Sequence, residues 1–329
     1  MKNKSETIFI TGGLGFIGSH VCKRLIKNKD KIVVYDLFKS FVSSLIANRY
    51  HQYLQYRIKP LKNKIKVIEG DIRDPSRLKE AILKTKPHKV IHFAGLPIAD
   101  VSNKFPEEAI SINFQGTVNL LNALVKQKTF KKIINISSSM VYGDFKYIPA
   151  KEDHLKNPQG LYGVTKLAAE HLVRVFAERN NFSYINIRPS AVYGPADSNR
   201  RVVQLFIENA IDKKPIILHD NGRSKLDFTF VEDLADGIVL ALKNDKVNNQ
   251  TFNMTKGQGR TLKSLSKIVK KYFPKVKIIS KSLDKSLRRP KRGAMDISSA
   301  RKLLGYNPQH SLEKGIKKYI EFLNKINIK

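Results

Sequence analysis

Between Ile8 and Val21 a short apolar run, Ile8-Phe9-Ile10, gives way at Thr11 to Gly12-Gly13-Leu14-Gly15-Phe16-Ile17-Gly18 and resumes as Ser19-His20-Val21. Few folds accommodate such a segment. The run before Thr11 is too short for a helix and reads as a buried strand. Gly12 lets the backbone turn where a Cβ would clash, Gly15 lets the main chain come close to a pyrophosphate, and Gly18 lets the next helix pack tightly. The N–H groups of a helix opening near Phe16 and Ile17 would then face an anion, with the helix dipole behind them. The segment predicts a phosphate cradle at the first turn of a nucleotide-binding fold.

Glycine spacing alone also fits an ordinary strand-to-helix turn. The next apolar run, Ile32-Val33-Val34-Tyr35, ends in Asp36, close to the distance of about 20 residues at which an acid meets the adenosine ribose. A carboxylate there would repel a 2′-phosphate, so NAD is expected rather than NADP.

Strand and helix signals alternate from this point. Ile65–Glu69, Lys89–Phe93, Lys132–Ile136 and Tyr184–Arg188 read as further strands, with helices over Pro106–Lys126 and Tyr162–Asn180 as crossovers. This is the pattern of an α/β doubly wound parallel sheet, a Rossmann fold. Small or polar residues follow the strands: Gly70-Asp71-Ile72, Ala94-Gly95, Ser137-Ser138-Ser139. In open α/β sheets these carboxyl ends converge on one crevice. From Lys39 to Arg57, the positions Phe41, Leu45, Ala47, Tyr50, Leu54 and Ile58 approximate a helical stripe, read as packing surface rather than a ligand site. Beyond Pro195 the alternation weakens. The expected division is an NAD-binding Rossmann domain over 1–190 and a smaller, intertwined C-terminal substrate lobe over 191–329.

The charge is unusual: 61 Lys plus Arg against 28 Asp plus Glu, a formal net charge of +33. The lysines are spread through every segment, and no aromatic-plus-basic motif of an RNA-binding module accompanies them. No nucleic-acid partner is therefore expected. No apolar run reaches the roughly 18 residues of a membrane span, and Met1–Glu6 leads straight into the first strand, so a cytoplasmic protein without a membrane partner is expected. The single Cys22 forms no internal disulfide and reads as a small core residue. No metal is assigned.

Tyr162 and Lys166 stand four residues apart on one helix face. A fixed cation beside the phenol is expected to lower its pKa and make Tyr162 a base near neutral pH. Ser138, at the end of the fifth strand, would orient a substrate hydroxyl toward it.

These residues resemble an extended short-chain dehydrogenase/reductase of the NAD-dependent nucleotide-sugar epimerase and dehydratase branch. The likeness runs over Thr11–His20, Gly70–Ile72, His92–Leu96, Asn113 with Gly116-Thr117, Ser137–Gly143, Tyr162–Lys166, Val192–Pro195, Val231–Asp233, and Leu303–Tyr306 with Pro308. It implies that Asp71 and Ile72 border the adenine, that Ala94 and Gly95 line the dinucleotide, and that Asn113 supports the cofactor pocket. It selects Ser138 among the three serines, four residues before Tyr142. It also implies a nucleotide-sugar substrate, C4 epimerisation through a 4-keto sugar, and a homodimer.

The sequence departs from that pattern at three places. Ser139-Met140 stands where dehydratases of the branch carry an Asp-Glu pair, which disfavours 4,6-dehydration. Ala191 replaces the usual asparagine after the arginine-led segment. Leu226 replaces the arginine that clamps the sugar-nucleotide diphosphate in relatives. Ser139, Arg200, Arg201, Lys225, Arg288 and Arg289 are the candidate substrate ligands, with two of the four arginines expected to take over the clamp. A dehydrogenase or reductase acting on another alcohol, and a non-catalytic Rossmann module, are the alternative readings.

Overall fold

The computed structural model describes residues 5–38, 47–282 and 289–328. Six strands, β1 (Thr7–Thr11), β2 (Lys31–Asp36), β3 (Lys66–Glu69), β4 (Lys89–His92), β5 (Lys132–Ile136) and β6 (Ser183–Arg188), pair in parallel. Four short strands follow: β7 (Val192–Tyr193), β8 (Ile216–His219), β9 (Lys225–Asp227) and β10 (Thr229–Phe230). Then β11 (Gln250–Asn253) returns to the large sheet beside β6, giving the order β11-β6-β5-β4-β1-β2-β3. A strand from the C-terminal half thus completes the sheet. The small strands pair among themselves, β7 with β10, β9 with β12 (Gly259–Thr261), and β8 with β13 (Ile278–Lys281).

Alternation along β1 shows why this sheet is covered on both faces. Ile8 and Ile10 point into one apolar layer, under α1 (Phe16–Leu25), while Phe9 points into the opposite layer. α2 (Ala47–Ile58) follows β2, and α3 (Pro75–Thr85) follows β3. The helical signal over 106–126 proves to be segmented. After α4 (Ala99–Lys104) and α5 (Pro106–Ile110) the chain widens into a π turn over Ser111–Gln115 before α6 (Gly116–Leu124). α7 (Leu161–Asn180) packs beside them on that face. In the C-terminal half, α8 (Val202–Ile211) precedes α9 (Val231–Lys243), which packs against α1. α10 (Leu262–Tyr272), α11 (Ser298–Leu304) and α12 (Leu312–Lys325) close the chain.

A third apolar cluster underlies the C-terminal lobe and includes Phe206, Leu265, Ile316 and Phe322. Tyr50 and Tyr53 of α2 belong to it, and the rings of Tyr53 and Tyr56 lie 5.7 and 4.5 Å from that of Phe322. The C-terminal lobe therefore fixes where α2 sits. Phe41 and Leu45 of the same stripe lie outside the described residues. Cys22 is fully buried, and burial pushes its thiol up to about 12, the behaviour of an inert core residue. Among the described residues no helix is long and apolar enough to cross a membrane.

Candidate active site

A cavity of about 470 Å³ opens at the carboxyl ends of β1 to β4. Its floor is the glycine turn. Gly12 adopts φ +68°, and a Cβ there would lie 2.8 Å from the amide nitrogen of Ala94. A Cβ on Gly18 would lie 2.6 Å from the carbonyl oxygen of Gly12. Tight packing at Gly18 is thus against the turn itself. Gly15 caps α1 in extended geometry without a side-chain bond, and its first turn carries no acidic residue. The leading amides of α1, at Phe16, Ile17 and Gly18, remain available to an anion.

The Asp36 carboxylate receives the backbone N–H of Leu14 at 2.9 Å and that of Phe38 at 3.0 Å. Burial raises its pKa, while the Phe38 and Leu14 amides act against that rise. Asp71 and Ile72 line the next wall, with Asp71 gripped by Arg73 (Nη2 to Oδ2, 2.6 Å). Ala94 and Gly95 line the opposite wall. Beneath Gly95, Asn113 sits in the π turn, where its Oδ1 accepts the Leu96 N–H at 2.7 Å and its Nδ2 donates to Thr165 at 3.2 Å. Extra-wide turns of this kind gather at functional sites. The glycine-tight turn, the uncapped helix and the buried carboxylate fit a dinucleotide.

Sequence reasoning missed a polar chain behind this wall. The Thr117 hydroxyl donates its one proton to the Asn113 carbonyl at 2.7 Å, so His92 must donate to Thr117 from Nε2, at 3.1 Å. His92 Nδ1 then accepts from the Thr11 hydroxyl at 2.7 Å. Burial, with the nearby Lys166 charge, holds His92 down at about 3 and hence neutral. The imidazole ties the first strand end to the helix that carries Asn113.

Ser138, Tyr162 and Lys166 converge just beyond the Gly95 end of the cavity. Ser138 caps the turn over Ser139–Tyr142, accepting from the Met140 amide at 3.2 Å, and its hydroxyl stands beside the Tyr162 phenol, where it favours the phenolate. The Lys166 ammonium donates to the Ile136 carbonyl at 2.9 Å and lies 3.4 Å from where a Gly95 Cβ would stand. One electrostatic expectation is overturned. Tyr162 stands above the ordinary phenol value because burial dominates, and the cation favouring its phenolate is Arg201 rather than Lys166. Lys166 is itself drawn down to about 8 by burial, opposed by Glu170 one turn along the helix. Glu170 is in turn held by Arg188 (Nη2 to Oε2, 2.6 Å).

The geometry can now be set beside known proteins. A family model described as NAD dependent epimerase/dehydratase family matches residues 8–255. The chain belongs to the NAD dependent epimerase/dehydratase family. A putative UDP-glucose 4-epimerase of Methanocaldococcus jannaschii is 28% identical over 97% of this chain and 99% of its own length. Among solved structures, a UDP-glucuronic acid 4-epimerase from Bacillus cereus in complex with UDP-glucuronic acid and NAD is similar, with a TM-score of 0.88 and 28% identity over 97% of this chain and 99% of that one. A UDP-glucose 4-epimerase from Thermotoga maritima with UDP-glucose gives a TM-score of 0.86 and 27% identity over the same shares. NAD is the cofactor of this epimerase/dehydratase chain.

The substrate ligands were less legible than the cofactor site. Of the five candidates among the described residues, only Arg201 lines the cavity, where its Nη2 donates to the Pro97 carbonyl at 3.2 Å. Arg200 and Lys225 are exposed and off the cavity wall. Arg289 is also exposed and pairs with Asp100 at 3.4 Å. Ser139 is buried under the strand end, its amide donating to the Pro189 carbonyl at 2.9 Å. Arg288 lies outside the described residues. Arg292, not among the six candidates, has a buried Nε with no partner among the described residues and is pushed down to about 10 by burial. Ala191 takes φ +38°, a left-handed conformation that asparagine tolerates better than alanine. The stripe of α2 read as packing surface also proves to face the cavity, through Tyr50 and Leu54, with Arg57 beside them.

Proposed function

We propose that this enzyme epimerises C4 of a nucleoside-diphosphate hexose through a transient 4-keto sugar. The observation that carries the reading is the juxtaposition of the Ser138 hydroxyl and the Tyr162 phenol beside the cavity that fits a dinucleotide. The positions after Ser138 hold Ser139 and Met140 in place of a carboxyl pair, so no second acid and base stand ready to expel a C6 hydroxyl.

In this scheme Tyr162 accepts the proton of the C4 hydroxyl, and Ser138 holds that hydroxyl against the phenol. Bound NAD supplies the hydride acceptor and later the hydride, so the cycle has no net redox change. The keto sugar turns over within the site, and Tyr162 returns its proton to the oxygen on reduction. Lys166 holds positive charge under Gly95, one turn along the helix from Tyr162. Arg201 and Arg292 take the substrate diphosphate in place of the arginine missing at Leu226, since each presents a planar fork to phosphate oxygens. Phe105, Ile110 and Val164 are exposed apolar side chains around the packed helices α5 and α7, which favours a homodimer through this face. The proposal extends to a cytoplasmic enzyme of carbohydrate biosynthesis.

The UDP-sugars bound by the two similar structures make UDP the first nucleotide to test. Incubating the enzyme with UDP-, GDP-, dTDP- and CDP-hexoses and separating the products should show one sugar converted to its C4 epimer. Accumulation of NADH in step with an oxidised product would favour the dehydrogenase reading instead.

A further inference from the structure

Arg57 is a long cationic side chain on α2, yet only 8% of it is exposed. Its Nε is buried with no hydrogen-bond partner among the described residues. The side chain lines the same cavity as Gly15, Phe16, Ile17 and Gly18. Two carboxylates face it, Asp36 at the end of β2 and the fully buried Asp197 in the loop after β7, and both act on its charge. One oxygen of Asp197 also lacks a partner among the described residues, the other accepting the Asn199 amide at 3.1 Å. A buried guanidinium donor left unpaired is costly. A chain retains it where a ligand completes the bonding.

What α2 packs against fixes where this group points. Tyr50 and Tyr53 are anchored in the C-terminal core, and the rings of Tyr56 and Phe322 stack edge-on at 4.5 Å. Arg57, the next residue, rides on the helix so held and turns its buried side chain into the cavity. On the other side, α1 offers uncapped amides and the positive end of its dipole to the same space. Two unpaired donor sets then converge on one volume, which calls for an anion with oxygens on two sides. NAD carries one such group, its diphosphate.

We infer that Arg57 clamps the diphosphate of NAD against the N-terminus of α1, and that Asp36 and Asp197 hold the guanidinium in place. The two carboxylates act against the burial that disfavours the Arg57 charge. This concerns the cofactor alone and stands apart from which sugar is turned over.

Calorimetry on protein freed of cofactor tests it, with NAD, ADP, adenosine and UDP as probes, for wild type, Arg57→Lys and Arg57→Met. Losing one charge-assisted contact should weaken NAD and ADP roughly 10- to 150-fold in Arg57→Met while leaving adenosine and UDP within about two-fold. Arg57→Lys, which keeps the charge but loses the fork, should fall between. Purified Arg57→Met should also carry less bound NAD. An equal loss for adenosine would overturn the inference, because Arg57 would then act through Asp36 or the fold. A loss confined to UDP would overturn it in favour of the sugar nucleotide. Should Arg57→Met fail to fold, Arg57→Lys and the wild type decide: ADP binding no tighter than adenosine to wild type, or unchanged NAD affinity in Arg57→Lys, contradicts the clamp.

Discussion

The Ser138 hydroxyl stands beside the Tyr162 phenol and favours its ionised form, across the gap between the end of β5 and the first turn of α7. A hydroxyl so placed would also orient a substrate hydroxyl that the phenol deprotonates. Removing a positioned proton-transfer group typically costs about 100- to 10,000-fold. Tyr162→Phe should therefore keep the fold and its NAD while losing turnover on that scale. Ser138→Ala should lose less. Steady-state kinetics alongside the absorbance of bound cofactor check both, and a Tyr162→Phe enzyme with more than about a tenth of wild-type rate would remove Tyr162 from the chemistry.

Asp36 gives a cofactor prediction. Its carboxylate is fixed by the Leu14 and Phe38 amides, so an adenosine ribose bound in the cavity would meet a carboxylate held in place. Asp36→Asn should narrow the preference for NAD over NADP. Competitive binding of the two nucleotides at low salt reads this directly. Equal wild-type affinity for both would contradict the assignment.

Two buried histidines set the acid limit of the fold. His92 and His20 are each held down at about 3 by burial, against an ordinary value of 6.5, with Lys166 and Lys23 respectively adding to the depression. Below pH 6.5 the unfolded chain binds protons that the folded chain refuses, so stability is fully present above that pH and drains away as pH falls toward 3. Each histidine should remove on the order of 2 kcal/mol between pH 6.5 and pH 5. Urea unfolding across that range should show the loss. His92→Gln should flatten the slope by about one proton.

The diphosphate contacts are tested by nucleotide affinity. Arg201→Ala and Arg292→Ala should each weaken UDP binding roughly 10- to 150-fold. Arg200→Ala and Lys225→Ala, whose side chains are exposed rather than drawn into the protein, should leave it unchanged. Calorimetry with UDP separates the two pairs.

The Rossmann sheet was legible because its signals are local. Alternation along β1, the glycine turn and Asp36 all lie within 36 residues and depend on backbone geometry. Arg57 was not legible, because its orientation comes from α2 packing on Phe322, more than two hundred residues away. An apolar stripe says only that a helix has a buried face, not which polar side chain borders that face. The same limit applied to the arginines. Arg288 and Arg289 stood out by charge, whereas Arg292, whose guanidinium is drawn into the protein, looks identical to them in the sequence. For Tyr162 the helix spacing was right, but spacing cannot weigh burial against charge, and burial wins. The segmentation at Ser111–Gln115 carries no breaker residue, so nothing in the sequence marks the π turn.

The central claim is reversible oxidation at C4 by a cofactor that never leaves. The most direct test mixes the purified enzyme, without added NAD, with a nucleoside-diphosphate hexose labelled with deuterium at C4, and follows the products by NMR. The account predicts a mixture of the two C4 epimers, deuterium retained at C4, and no build-up of free NADH. Loss of the label to solvent, or a 4-keto product formed one for one with released NADH, would contradict it.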